Sequence, residues 1–245
     1  MSADGRRGID APAILDLHCH TVASFDSLSD PVAVVRAAAA RGITHLAITD
    51  HDRIDGALRA RDAQVSGIAV LVGSEVRTRE GDLIALFLER PIEAGLPAAE
   101  AVAAIRAQGG LVGIPHPFDG WRGSLLRDEG LLPLLDLVDW IEGWNARLVA
   151  PGGNQRAAQL ASTRGLPSVA VSDAHTLLEV GGSATIVAGD PATPAGLLAA
   201  LRGERELIAG RGALVARAIT PLAKIVNAAR GNRRVAPGRT FGADA

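Results

Sequence analysis

Short apolar runs alternate with longer segments of helical period along most of this chain. The first run covers residues 13–17, and a helix is predicted to begin at Asp30-Pro31, because Asp is a favoured N-cap and Pro fits the first helical turn. Strands that alternate with helices usually pair in parallel through crossover helices. Seven such strands are predicted, near residues 14, 45, 69, 111, 139, 168 and 184. Helices are predicted over 30–41, 55–66, 97–108, 124–135, 152–164 and 194–202.

A further strand is predicted over residues 82–88. It follows the turn signal Gly81-Asp82, so we expect it to be the hairpin partner of the segment before it.

Histidines and carboxylates follow directly after the predicted strands. Alternate side chains of a strand share a face, so His18 and His20 lie together while Cys19 faces away, into the core. The strand-end residues are His18, His20, His51, Glu75, His116, Asn145, Asp173 and His175. In a barrel the carboxyl ends of the strands meet at one mouth, whereas in an open sheet they lie along a line. The pattern therefore favours an α/β protein with a closed or distorted barrel over an open doubly wound sheet.

The same side chains predict a metal site at the carboxyl ends of the strands. Imidazole and carboxylate ligands together suit Mn²⁺, Fe²⁺ or Zn²⁺ better than Mg²⁺. A single strand-end histidine is more often a packing or solvated residue, but a set of such groups at successive strand ends favours a multinuclear site. His45 is the exception, because it begins its strand and is expected at the opposite end of the barrel in a structural role.

Composition narrows the class of protein. Of the 245 residues, 48% are hydrophobic and 21% are charged, which is typical of a soluble globular protein. Aromatic residues make up 3% and Tyr is absent, so platforms for base stacking are scarce. The single Cys excludes a disulfide within the chain and fits a reducing compartment, so a cytoplasmic location is expected. No apolar run approaches the length of a membrane span, and neither a membrane nor an obligate protein partner is indicated.

Charge is distributed unevenly along the chain. The formal net charge is -2, yet residues 202–239 carry nine Arg or Lys against two Glu. A solvated basic helix and tail is the favoured interpretation of this stretch. The alternative is a surface that attracts an anionic substrate or nucleic acid.

Five short motifs resemble those of the PHP (polymerase and histidinol phosphatase) family. They occur in the family's order over residues 14–190 and are Asp-Leu-His-Cys-His-Thr at 16–21, Ile-Thr-Asp-His-Asp at 48–52, Gly-Ser-Glu-Val at 73–76, His-Pro at 116–117 and Ser-Asp-Ala-His at 172–175. The resemblance implies a distorted (β/α)7 barrel, up to three divalent metal ions and phosphoesterase activity. It also implies a catalytic barrel over residues 13–204, which we expect to lie between a flexible N-terminus at 1–12 and a basic helix and flexible tail at 205–245.

The resemblance further implies a ligand set for each ion. One ion would be held by His18, His20, Glu75 and Asp173. Glu75 would bridge to a second ion, with His116 as its other ligand, and a third would be held by Asp26, His51 and His175. Asn145 is kept as a further ligand candidate, although it stands where members with a full second site have His, and an amide oxygen is a poor ligand. On a regular strand Asn145 and Glu142 could not both face inward.

Three residues are predicted to take part in catalysis. Asp173 and His175 are catalytic candidates as well as ligands, and His175 is one candidate for protonating the leaving group. Arg122 lies on the loop after His116, where its guanidinium could bind a substrate phosphate through two parallel hydrogen bonds. The alternative for Arg122 is a solvated loop charge. Asp50 is considered as a residue that orients His51 or, equally, as a helix cap.

These features predict a metal-dependent phosphatase or phosphodiesterase. Two or three Mn²⁺, Fe²⁺ or Zn²⁺ ions would activate water against a nucleotide, another small phosphorylated metabolite or a short oligonucleotide. One alternative is a non-catalytic PHP module stabilised by metal. A C–N hydrolase is less favoured, because no Lys stands at a strand end to bridge metals. Some PHP proteins carry an inserted helical subdomain after the Gly-Ser-Glu-Val strand. Residues 77–110 leave no room for such an insertion, so we expect the mouth of the barrel to be open.

Overall fold

The computed structural model describes residues 12–120, 129–149, 152–212 and 214–242. The strands are β1 Ala13–Asp16, β2 His45–Ile48, β3 Ala69–Arg77, β4 Asp82–Leu86, β5 Leu111–Ile114, β6 Trp140–Asn145, β7 Ser168–Val171, β8 Ala184–Val187 and β9 Arg205–Ile208. The helices are α1 Pro31–Ala40, α2 Asp55–Asp62, α3 Ala98–Arg106, α4 Gly153–Arg164, α5 Pro194–Arg202 and α6 Leu214–Ala229, with a 3-10 helix at Glu129–Leu137.

All nine strands belong to one sheet with the order β7-β6-β5-β4-β3-β2-β1-β8-β9. The pairs β1–β2, β2–β3, β5–β6 and β6–β7 are parallel, while β4 runs antiparallel to both neighbours and β8 and β9 are antiparallel additions. The sheet nearly closes where β7 returns to β1, because the backbone N–H of His20 donates to the carbonyl of Ala174 at 2.8 Å. The predicted α/β barrel is therefore confirmed, with β4 as the expected hairpin partner of β3.

Helix starts follow the expected local chemistry. The Asp30 side chain caps α1 by accepting hydrogen bonds from the N–H groups of Val32 and Ala33. Thr193 caps α5 in the same way, and Pro194 occupies the first helical position. The helix predicted over 124–135 differs from the structure, because the described part is the 3-10 helix, with Pro133 inside it. Residues 124–128 lie outside the described part of the chain.

The apolar core lies on both sides of the strands. Leu15, Leu17 and Trp140 are fully buried together with Leu197 of α5. Gly113 makes room for Trp140, because a Cβ at this position would lie 2.2 Å from the indole ring. A second cluster joins α1, α2 and α3 to the sheet and includes the buried Cys19, as predicted from strand parity. No helix among the described residues is long and apolar enough to cross a membrane.

The C-terminal residues pack against the barrel. The boundary expected after residue 204 stands directly before β9, which extends the barrel sheet by pairing with β8. The tail expected to be flexible after Gly231 is tied to the barrel: Ala94 and Arg239 are joined through a backbone hydrogen bond of 3.0 Å, and the Arg53 guanidinium stacks 3.8 Å from the Phe241 ring centre. We call α6 and residues 230–242 the C-terminal segment.

Candidate metal centre

His18 and His20 meet at the centre of the cluster, directly after β1. Their Nε2 atoms lie 2.9 Å apart, and both residues are buried. Asp173 Oδ1 lies 3.7 Å from His18 Nε2 and 3.6 Å from His20 Nε2, while Glu75 Oε2 lies within 3.4 Å of both. The four ligands that the resemblance implies for one ion therefore converge, and the mixed donor set fits a divalent transition metal. We call His18, His20 and Asp173 the first group.

Glu75 extends the cluster toward His116. Its Oε1 lies 3.0 Å from His116 Nε2, while its Oε2 faces the first group. The two oxygens of one carboxylate thus point at neighbouring positions, as a bridging ligand requires. His116 and Asp173 have backbone φ angles of 28° and 52°, a region that non-glycine residues rarely adopt. This strain at two predicted ligands is typical of functional sites.

Asp26, His51 and His175 form the third group. Asp26 Oδ2 lies 3.3 Å from Nε2 of each histidine. The His20 ring lies between the two histidines, with ring centres 4.8 Å from His51 and 4.2 Å from His175, so the third group is continuous with the first. Among the described residues, three overlapping sets are close enough to hold ions, with ligand atoms within 4.8 Å of one another: His20, Asp26, His51 and His175; His18, His20 and Asp173; His51, Glu75 and Asp82.

Charges within the cluster shift several pKa values in opposite directions. Burial opposes protonation of His20, but the hydrogen-bonding carboxylates of Asp173 and Glu75 outweigh it and raise the pKa of His20 to about 9. Burial dominates at His175 and lowers its pKa to about 4. Burial would raise the pKa of Asp26, yet His175 and His51 hold that pKa well below its usual value. At neutral pH the metal-free cluster therefore carries a proton on His20 and none on His175.

Glu142 supports the cluster from behind. One of its oxygens lies 2.6 Å from His18 Nδ1, and the other accepts a hydrogen bond of 2.7 Å from the His116 N–H. The contact to Nδ1 fixes the His18 tautomer that presents Nε2 to the first group. Glu142 was not predicted as a site residue, because strand parity placed it against Asn145.

Parity fails in β6 because the register shifts between Glu142 and Trp144. Such a bulge turns both Glu142 and Asn145 inward. The Asn145 amide N–H₂ donates to Glu142 at 2.8 Å and to Asp173 at 3.0 Å, while its oxygen accepts from the Arg147 N–H at 2.9 Å. In this orientation Asn145 steadies two carboxylates, and its role as a metal ligand stays a prediction.

Asp50 also differs from expectation. It accepts hydrogen bonds from the Thr21 N–H at 2.6 Å and from the Thr21 hydroxyl at 2.7 Å, rather than from His51. Gly56 permits this approach of α2, because a Cβ there would lie 2.1 Å from the Asp50 carboxylate. Asp50 therefore fixes the chain just after His20.

A cavity of about 650 Å³ opens over the cluster. Six predicted ligands line it, and the opposite wall is built largely by the C-terminal segment. The wall residues from this segment are Arg217, Thr220, Pro221, Lys224 and Arg234. The Lys224 ammonium lies 5.3 Å from the centre of the Phe25 ring, beside the third group. Arg122, the predicted phosphate-binding residue, lies outside the described residues.

Two carboxylates hold Arg234 in the wall of this cavity. It donates to Asp52 at 3.1 Å and to Asp82 at 2.7 Å. Asp82 belongs to one of the potential ion-binding sets, and neither it nor Arg234 was singled out in the sequence. Arg234 lies far along the chain from both partners, so no local motif could reveal the contact.

Most of the barrel matches models of the PHP family. Residues 16–110 match the PHP domain, and residues 151–205 match the model described as PHP-associated. An uncharacterized protein of Methanocaldococcus jannaschii is 38% identical over 114 residues, which is 42% of this chain and 67% of that protein. A 5′-3′ exoribonuclease of Haemophilus influenzae is 31% identical over 118 residues, 43% of each chain.

Solved structures share the fold. A two-domain protein from Bacteroides vulgatus, which contains a predicted PHP-like metal-dependent phosphoesterase, matches with a TM-score of 0.66 and 21% identity, over 85% of this chain and 70% of that one. The lesion-specific endonuclease Q from Pyrococcus furiosus matches with a TM-score of 0.63 and 18% identity, over 80% of this chain and 58% of that one. At these identities the likeness concerns the fold.

Proposed function

This chain belongs to the PHP family, and from that premise we propose that it is a metal-dependent phosphoesterase. The substrate we propose is a nucleotide or another small phosphorylated metabolite. The observation that carries the proposal is the set of overlapping, buried His and carboxylate groups at the floor of an open cavity. A structural metal site would be closed to substrate, whereas a catalytic one is open on one side.

The residues present fit two or three ions. We propose that the first group and Glu75 hold one, that Glu75 and His116 hold a second, and that the third group holds another. Divalent transition ions in these positions would neutralise phosphoryl oxygens and lower the pKa of a water nucleophile. The chain's own part is to aim the ligands: Glu142 orients His18, and the Asp173 carbonyl, 2.9 Å from His175 Nδ1, leaves Nε2 of His175 facing Asp26.

His175 suits the role of ligand better than that of an acid. Its pKa of about 4 leaves the imidazole neutral at pH 7, so it has no proton to give to a leaving group. Asp173 faces both first-group histidines and remains our candidate for a catalytic residue as well as a ligand. The role of Arg122 in phosphate binding stays a prediction.

The walls of the cavity suit a phosphate ester with an organic part. Phe25, Val149 and Pro221 offer apolar surface, and Arg217 and Lys224 bring positive charge to the same wall. A short oligonucleotide is the second candidate substrate. It is supported by the name of the Haemophilus influenzae relative, a 5′-3′ exoribonuclease, and by the basic C-terminal segment.

The test is a substrate panel run on protein of known metal content. The protein is expressed with added Mn²⁺, Fe²⁺ or Zn²⁺, its ions are counted by elemental analysis, and nucleotides, sugar phosphates and 5′-phosphorylated oligonucleotides are offered. We expect two or three ions per chain and hydrolysis of at least one phosphate ester. Fewer than about one ion would contradict the metal sites, since sites of this kind bind tightly. Full metal content without hydrolysis would favour the non-catalytic module.

A further inference from the structure

The loop that carries Asp26 is held by residues of the C-terminal segment, which lie far along the sequence. We call residues 22–27, which follow His20 and include Asp26, the Asp26 loop. Asn227 on α6 is fully buried, and its amide N–H₂ donates to the carbonyls of Ser24 at 3.2 Å and Ser27 at 2.8 Å. Asn232 donates to the carbonyls of Val22 at 3.0 Å and Ala23 at 3.1 Å. Two asparagines of the C-terminal segment thus donate to four backbone carbonyls of this loop.

The chemistry of these contacts requires an amide. Each carbonyl needs a donor, and the two hydrogens of one Asn nitrogen meet two carbonyls at once. The Asn227 oxygen is buried and has no hydrogen-bond partner among the described residues, which costs stability. The side chain is therefore held in place by what it donates to the loop.

The loop transmits this attachment to the third group. The Ser24 hydroxyl donates to Asp26 Oδ1 at 2.7 Å, which leaves Oδ2 to face His51 and His175 at 3.3 Å each. The Ser27 hydroxyl donates to the His175 carbonyl at 2.9 Å. A shift of the loop would therefore move Asp26 away from both histidines.

We infer that Asn227 is a positioning residue for the metal position formed by the third group. Asn232 supports the same loop through its own hydrogen bonds. The inference rests on the proposed function of the same centre. It extends the centre to the C-terminal segment, because both asparagines lie beyond residue 205, where the matched PHP-associated region ends. The alternative is that the two asparagines only stabilise the fold.

Substitution of Asn227 by Asp tests this directly. Asn227→Asp keeps the size of the side chain but places a carboxylate oxygen against two carbonyls. Asp26→Ala removes the ligand itself and serves as the reference. Thr185→Val is the matched control, because the fully buried Thr185 hydroxyl also bonds backbone groups, the N–H and carbonyl of Ala170, away from the loop. Each variant is made as the whole 245-residue chain and stripped of metal. Binding of Mn²⁺ is measured by calorimetric titration, bound ions are counted by elemental analysis, and thermal unfolding is recorded.

We expect Asp26→Ala to lose one Mn²⁺ position, and Asn227→Asp to weaken the same position roughly 10- to 100-fold, the range for partners of metal ligands. The double variant should lose no more metal than Asp26→Ala, because both changes act on one position. Thr185→Val should melt lower and keep the wild-type metal content.

Two outcomes would overturn the inference. One is Asn227→Asp with Mn²⁺ binding within threefold of wild type; the other is Asp26→Ala with no loss of a position. If Asn227→Asp does not fold, Asn232→Ala takes its place, and binding within twofold of wild type in that variant overturns the inference too. Failure of the proposed function would give a different result: the wild type would bind its full complement of Mn²⁺ but hydrolyse no phosphate ester.

Discussion

The first group and the third group use the same kinds of side chain but are held in different ways. His18, His20 and Asp173 stand at the ends of β1 and β7, where those strands meet, and Glu142 supports them from β6. Asp26 stands on a loop that is fixed by the C-terminal segment. The first group therefore depends on the strand ends, whereas the Asp26 ligand of the third group depends on distant packing.

The two groups also differ in the protonation of their histidines. In the metal-free protein the pKa of His20 is about 9, because two carboxylates outweigh burial, while burial leaves His175 with a pKa of about 4. An ion entering the first group must therefore displace protons, whereas His175 in the third group is already deprotonated. Affinity of the first group for metal should therefore depend on pH.

The most severe way to break this comparison is to remove a ligand of the first group. We expect His18→Ala or Asp173→Ala to abolish phosphoesterase activity with the fold retained, as circular dichroism would show. His45→Ala is the control, because this histidine lies outside the cluster, 3.7 Å from Asp190. Activity within about tenfold of wild type, a barrier change under ~1.4 kcal/mol, would show that the first group is not the catalytic centre.

Removal of the support behind the first group should have a smaller effect. Glu142→Gln keeps the shape but loses the carboxylate that faces His18 Nδ1 and the His116 N–H. We expect affinity for Mn²⁺ to fall roughly 10- to 100-fold, as for other residues that orient metal ligands. Calorimetric titration measures this, and an unchanged affinity would mean that the strand ends alone orient the histidines.

Titration by pH should sharpen the comparison. As pH rises from 6.5 toward 9, the fraction of His20 that is protonated falls, so competition with metal weakens and apparent affinity should rise by up to about tenfold per pH unit for each proton displaced. The contribution of His20 to this slope should flatten above pH 9. Asp26→Ala should show the same slope, because it leaves the first group intact; loss of the slope in that variant would place the displaced proton in the third group.

The smallest effect is expected from a substitution in the wall of the cavity. Lys224 is exposed beside Phe25, and Lys224→Ala should raise KM for a phosphate dianion about two- to fivefold, as for an exposed charge pair, with kcat and metal content unchanged. Arg230→Ala is the control, since Arg230 is exposed on the same segment but does not line the cavity. Equal effects of both variants would indicate a general influence of charge rather than contact with substrate.

The sequence revealed what depends on short-range patterns. The pair His18 and His20 follows from strand parity, the start of α1 follows from Asp30-Pro31, and convergence of the strand ends follows from the alternation of strands and helices. These inferences succeed because each rests on neighbours within a few residues or on a general rule of barrel topology.

The failures have physical causes that no local pattern records. A single extra residue in β6 reverses the parity on which the placement of Glu142 and Asn145 depended. Asp82, which faces the cluster from the antiparallel β4, pairs with Arg234 from the other end of the chain. Arg234 was counted among the solvated basic residues of the stretch 202–239, because its partner Asp52 lies 182 positions away.

The order in which the chain is made gives the asparagine contacts a further meaning. Asn227 follows Ser24 by 203 positions, so at ribosomal rates of about 5–20 residues per second the Asp26 loop waits roughly 10–40 s for its partner. Asp173 emerges more than 50 positions earlier than Asn227, and with it the last ligand of the first group. An ion captured during synthesis would therefore enter the first group, and the third position would be the last part of the centre to mature.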